Sequence, residues 1–277
     1  MTSISKSLSS CLVAVFLASC GGGGGGESNV PPVSSSPPPV ISQSPAGVWN
    51  GVNPQDNSRV IAMIAPDGEF IIRFAEGVMM YGVLATQGSQ VSVNQFYAIP
   101  SGTGFQYSMP RLVGSFTQES ALTLNIPQIP PPYTYFPGGA YKGPWTIAFT
   151  YQSFHRQVSS LNTVSGTYVD DRVRPTVSWN ISSDGTLFAQ QTQNNGACVL
   201  NGRVRTLDTN RNLYRITADT GAQSCGFYNI GGAYPRDYGG LGFLANDSDG
   251  ILRLWMYLHY SRETPMQTGF YQAPIRQ

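Results

Sequence analysis

A short pattern that occurs twice constrains this chain more than any other feature. The first occurrence runs Gly47-Val48-Trp49-Asn50-Gly51, then Arg59 to Ile64, a turn at Asp67-Gly68, then Glu69 to Phe74. The second runs Gly166-Thr167-Tyr168-Val169, then Thr176 to Ile181, a turn at Asp184-Gly185, then Thr186 to Gln190. Asp-Gly between alternating runs is a strong hairpin signal, because a type I′ turn needs positive φ at both central residues. The opening glycines, 47 and 166, stand 119 residues apart and the turn glycines, 68 and 185, stand 117 apart. That spacing is what a duplicated β-unit produces; chance likeness between two β-meanders is the competing reading. Val83-Leu84 and Val199-Leu200 then begin comparable strands, and each pass ends in a tryptophan strand, Trp145 to Tyr151 and Leu252 to Tyr260.

Alternation supports half-buried antiparallel sheet. Val91, Val93 and Gln95 alternate with Ser92, Asn94 and Phe96, and Leu122 and Leu124 with Thr123 and Asn125. In the second pass Val204, Tyr214, Ile216, Leu252 and Leu254 alternate with Arg203, Arg205, Arg215 and Arg253. Turn formers and aromatics dominate, with 31 Gly, 20 Pro, 15 Tyr and 13 Phe, while charged residues are only 11%. No run has helical periodicity. The expectation is an all-β body of two tandem antiparallel β-meander units, 46–155 and 156–277, as small barrels or one sandwich-like body. Gly47 to Trp49 is similar to the opening of lipocalin-type barrels, a likeness of three residues that implies no ligand.

The body follows a different kind of sequence. Residues 20–45 are glycine, serine and proline with almost no large apolar side chain, so burial cannot offset the entropy of ordering them. This reads as a disordered tether, extended at Pro31-Pro32 and Pro37-Pro38-Pro39. Residues 1–19 carry one lysine, Lys6, and an apolar run from Cys11 to Ala18, too short for the ~20 residues of a spanning helix but right for a signal peptide. Leu17-Ala18-Ser19-Cys20 resembles the lipobox of bacterial lipoproteins. The resemblance implies cleavage before Cys20 and attachment of acyl chains to it, making membrane lipid the first partner. Several chains anchor stably at about 0.8 kcal/mol per buried CH₂. Gly21 stands where an aspartate retains such lipoproteins in the inner membrane, which implies the outer membrane. The glycine run also resembles surface lipoproteins of Neisseria and its relatives.

With Lys6 removed, the 16 Lys and Arg fall to 15 and match the 15 Asp and Glu, so no net charge steers the protein to nucleic acid. Two cysteines remain in the body, Cys198 and Cys225, and in an oxidising envelope they read as a disulfide. The two histidines, His155 and His259, lie in no catalytic motif: GxSxG, SxxK and HExxH are absent. No catalytic residue, cofactor or metal site is assigned, and the expectation is a protein that is not an enzyme, with a hydrolase of unrecognised site as the alternative. Asn246-Asp247-Ser248-Asp249-Gly250 is a fragment of a calcium loop without its closing carboxylate, better explained as a hairpin turn.

Two candidate binding features remain. Tyr133, Tyr135, Phe136 and Tyr141 lie in a proline-rich stretch between the passes, where stiffened tyrosines make recognition surface or fold back to cap a barrel end. Arg203 and Arg205, two apart on one strand face, suit an anionic partner such as a glycan, or form an ordinary charged sheet face. The sequence therefore implies a lipid-anchored outer-membrane protein with a binding or envelope-structural role. Its partner is macromolecular or a glycan, and it faces either the cell surface or the periplasm, where a lipid-like ligand inside a barrel is the alternative.

Overall fold

The structure, a computed structural model, describes residues 43–75, 77–99, 107–128, 143–170, 176–193, 196–219, 237–260, 270–272 and 275–276. They belong to one compact unit, Ser42–Gln277. Its strands form two antiparallel sheets, the two meanders expected from the sequence.

The first sheet comprises β1 (Gly47–Val52), β2 (Arg59–Ile64), β3 (Glu69–Phe74), β4 (Met79–Val83), β5 (Ala85–Gln87), β6 (Gln90–Val93), β7 (Phe96–Ile99), β8 (Tyr107–Met109), β9 (Leu112–Thr117), β10 (Ala121–Ile126) and β11 (Trp145–Tyr151). Its hydrogen-bonded order is β5-β6-β9-β10-β11-β1-β2-β3-β4-β7-β8. The two ends of that order are joined by continuous chain. Only Leu84 separates β4 from β5, only Asn94-Gln95 separates β6 from β7, and only Pro110-Arg111 separates β8 from β9. Val93 faces Leu112 and Phe96 faces Met109 in one register across the break. The eleven segments thus have the order of an eight-strand up-and-down barrel whose wall is interrupted at that point. The interruption also shifts the alternation expected for Val91 to Phe96: Val91, Val93 and Phe96 are buried and Gln95 is exposed, because the two break residues change the phase.

The second sheet comprises β12 (Gly166–Asp170), β13 (Val177–Ile181), β14 (Thr186–Gln193), β15 (Gly196–Asp208), β16 (Arg211–Asp219), β17 (Asp237–Asn246), β18 (Leu252–Tyr260), β19 (Phe270–Gln272) and β20 (Ile275–Arg276). From β12 to β19 each strand pairs with the next in sequence, and the two-residue β20 lies between β18 and β12, nearly closing the barrel. A 3-10 turn (Ser153–Arg156) and a one-turn helix (Leu161–Val164) connect the sheets.

The repeat is visible atom by atom. Gly47 and Gly166 both adopt φ near +144° and both pair with an isoleucine, Ile64 and Ile181. Trp49 donates its indole N–H to the Pro45 carbonyl, and Tyr168 donates its hydroxyl to that of Val164, four residues back in each case. Gly68 and Gly185 sit at φ 88° and 85°, but Asp67 and Asp184 do not take positive φ, so these hairpins do not use the type I′ turn expected from Asp-Gly. The glycine amides close onto the Ala65 and Ser182 carbonyls at 2.9 Å, and the glycine carbonyls accept from the Leu84 and Val204 amides at 2.8 Å. A Cβ at either would come within 2.2 Å of the Leu84 oxygen or 2.3 Å of the Val204 oxygen. The structural counterpart of Leu84 is therefore Val204, not Leu200. Likewise Leu252 to Tyr260 is followed by two short strands of its own sheet, β19 and β20, whereas Trp145 to Tyr151 is the last strand of the first.

Each barrel is filled by its own side chains, as expected for barrels of about this size. Trp49, Phe70, Phe74, Phe96, Trp145 and Phe149 belong to the first core, and Tyr168, Trp179, Tyr214, Leu254 and Met256 to the second. A third buried cluster lies between the barrels. It joins Ile61, Met63, Ile71, Met79 and Tyr81, on the outer face of the first, to Leu213, Leu241, Phe243 and Tyr257 of the second.

Candidate functional site

The contact between the barrels follows from strands that do not alternate. β2 reads Arg-Val-Ile-Ala-Met-Ile and is buried at every residue after Arg59, because Val60, Ala62 and Ile64 fill the barrel while Ile61 and Met63 face the other sheet. A strand buried on both faces needs apolar residues at consecutive positions. β17 has the same character from Gly240 to Leu244. These runs stand in the sequence, and their lack of period-2 alternation was the available signal for the seam.

A polar cluster occupies one part of it. Arg215 of β16 reaches across to the first barrel, 2.6 Å from Glu69 and 2.8 Å from Asp67. His259 of β18 lies 3.7 Å from Glu69 and stacks on Tyr81 at 4.0 Å between centroids and 11° between planes. Burial alone would raise the Glu69 pKa, but the His259 hydrogen bond and the Arg215 charge outweigh it and hold the carboxyl below its ordinary value. Asp67, at the exposed turn, is lowered as well: its partial burial opposes the shift and Arg215 overcomes it. Elsewhere in the contact Arg211 donates to the Ala46 carbonyl and pairs with Glu119 of the first barrel at 3.4 Å.

Beside the apolar seam the surface opens into a groove of about 810 Å³, within the usual range for a binding pocket. One wall is aromatic. Phe243 and Trp255, directly opposite each other on β17 and β18, hold their rings parallel to within 4° with centroids 6.1 Å apart. Phe154, from the 3-10 turn, continues this surface at 5.5 Å from Phe243. Phe243 is buried, while Phe154 and Trp255 are half-buried. Arg59, Gln157 and the β17–β18 turn supply the polar lining.

Behind this wall lies His155. Its side chain is fully buried, centroid 4.5 Å from Phe154 and 5.5 Å from Phe243, and neither ring nitrogen has a partner at hydrogen-bonding geometry. Desolvation pushes its pKa down to about 3, so the ring is neutral at physiological pH. It is a core residue with no exposed face to offer a substrate.

The residues singled out from the sequence are placed as follows. Cys20, Tyr133, Tyr135, Phe136, Tyr141 and Cys225 lie outside the described residues. Cys198 lies in β15, paired through its backbone with Gln191. Arg203 and Arg205 are both exposed on the outer face of β15, and Arg205 stands opposite Arg215. Neither lines the groove. The calcium-like fragment is a turn: one Asp247 oxygen accepts from the Asp249 and Ile251 amides at 2.9 and 3.0 Å, and the other accepts from Arg253. Among the described residues no group of three His, Cys, Asp or Glu is arranged to hold a metal ion. The aromatic wall was not anticipated as a site: pairing of β17 with β18 sets Phe243 opposite Trp255, and Phe154 joins them only through the fold of the connecting turn.

No protein-family profile, curated protein or solved structure matches this chain.

Proposed function

We propose that the chain is a lipid-anchored outer-membrane protein whose body binds a partner on the outside of its two barrels. The observation that carries the binding role is that both barrel interiors are occupied by side chains, while a groove with an aromatic wall opens beside the seam between them. This favours an external partner over a lipid-like ligand enclosed in a barrel. The lipobox resemblance at Cys20 supports the anchor, and the Gly/Ser/Pro segment that follows supports a body held away from the lipid. His155 is enclosed and His259 is held between Tyr81 and Glu69, which supports binding rather than catalysis.

Protease shaving of intact cells producing the protein, with a periplasmic marker as control, tests the placement. Cleavage of the body while the marker survives is expected. A body that resists until the outer membrane is opened would show that it faces the periplasm. Metabolic labelling with an alkyne palmitate tests the anchor: wild type should be labelled and Cys20→Ala should not.

A further inference from the structure

The groove beside the seam has a chemistry more specific than a general docking surface. Its aromatic wall is lined by the half-buried Trp255 and Phe154, each in ring contact with the buried Phe243. Around that wall the ionised groups balance: Arg59 and Arg253 stand against Asp247 and Asp249, and Arg253 and Asp247 are already paired with each other. Arg59 is likewise engaged, giving two of its N–H groups to the Asn50 side-chain oxygen at 2.9 and 3.1 Å. Among the described residues, the side-chain amides of Gln157 and Asn246 take no partner and are left to solvent.

These features select a ligand. Arg59, whose partner is a neutral amide oxygen, and Asp249 leave one charge of each sign in the groove, so a polyanion or a polycation would lose at one what it gains at the other. A purely apolar ligand would strip water from the amides and carboxylates and leave them without hydrogen bonds, which costs free energy. A neutral sugar ring meets both demands, since its axial C–H groups form an apolar face that lies against an aromatic ring and its rim of hydroxyls both donates and accepts. An amide offers both donor and acceptor to such a rim, and the Asp249 carboxylate offers acceptors. We propose that this groove is a binding site for an uncharged saccharide chain, with Trp255 and Phe154 as stacking platforms and Gln157 and Asn246 as hydroxyl partners. The proposal rests on the external-binding reading and names the ligand class for it.

The test uses the full-length protein in lauryldimethylamine oxide, titrated by calorimetry with maltohexaose, chitohexaose and dextran as neutral probes, heparin and polygalacturonate as acidic probes, and decaproline as a peptide probe. Binding of at least one neutral saccharide is expected, weakened about tenfold or more by Trp255→Ala, in line with the loss of an aromatic anchor. Because Trp255 also packs against the seam, Gln157→Ala, at an exposed position, provides a second variant expected to weaken binding without altering the fold. Phe188→Ser, an exposed aromatic on β14 outside the groove, should bind like wild type. Neutral-saccharide binding that ignores both groove variants would overturn the location. Binding of heparin, polygalacturonate or decaproline in place of the neutral probes would overturn the ligand class and leave the binding role standing. Silence of every probe would overturn the saccharide inference, whereas surface display is judged separately by shaving.

Discussion

Replacing Gly68 by alanine tests whether a close backbone crossing in the first barrel is what requires glycine there. Gly68 combines two demands, a φ of 88° and a Cβ position only 2.2 Å from the Leu84 carbonyl oxygen. The first costs a non-glycine residue about 1 to 2 kcal/mol. The second cannot be relieved by a rotamer change, because the obstructing atom is backbone. The strand must move and weaken the 2.8 Å hydrogen bond from the Leu84 amide to the Gly68 carbonyl, a further loss of about 1 kcal/mol. The sum is about 2 to 3 kcal/mol, or roughly 4 to 12 °C in melting temperature for a body of this size. Gly88 is the internal control: its φ is 57°, but a Cβ there meets nothing within 4 Å. Gly88→Ala should show the conformational cost alone, about 1 to 2 kcal/mol. Thermal and urea melts followed by near-ultraviolet circular dichroism compare the two. Equal shifts for both variants, or a larger one for Gly88→Ala, would refute the crowding argument. Gly185→Ala should behave like Gly68→Ala, since its Cβ would lie 2.3 Å from the Val204 oxygen.

Three further expectations follow from the seam and the chain chemistry. Glu69 and Asp67 have folded pKa values below their ordinary ones, so their contribution is present above the unfolded values near 4 and is lost as pH falls through the folded values; Glu69→Gln with Asp67→Asn should flatten the acid limb of urea-midpoint against pH. His155 is also depressed, from an unfolded value near 6.5 to about 3, and the unfolded state therefore takes up a proton that the folded state refuses. Stability should fall by about 1.4 kcal/mol for each unit by which pH is lowered within that window, and His155→Phe should remove most of that slope in the same measurement. Non-reducing peptide mass mapping should recover Cys198 joined to Cys225, and a free thiol at either position would remove the proposed staple.

The exposed arginines illustrate how one pattern serves two purposes. Arg203, Arg205 and Arg215 all occupy outward positions by strand alternation, and nothing in the local sequence separates them. Arg215 is drawn into an ion-pair cluster because the first barrel brings Glu69 and Asp67 against it, whereas Arg203 and Arg205 are exposed. The histidines divide in the same way. His259 meets a tyrosine and a carboxylate of the other barrel, and His155 is enclosed by rings drawn from the connecting turn, β11 and β17.

Features that depend on neighbours along the chain are legible in the residues alone: the hairpins at Asp67-Gly68 and Asp184-Gly185, the turn at Asp249-Gly250, the alternating faces of β10 and β11, and the repetition of one meander. Turn position and strand alternation are local, so a few residues suffice to specify them, whereas the type I′ geometry expected at Asp-Gly is not what forms, since only the glycines take positive φ. The fold alone matches Val204, rather than Leu200, to Leu84, because that match is made by a hydrogen bond between strands whose register no single strand records. It alone also decided that the apolar outer faces of β2, β3 and β17 cover each other, and that Phe154, Phe243 and Trp255 meet at one groove. Burial on both faces is written in the composition of those strands, but which surface does the burying depends on contacts more than a hundred residues apart.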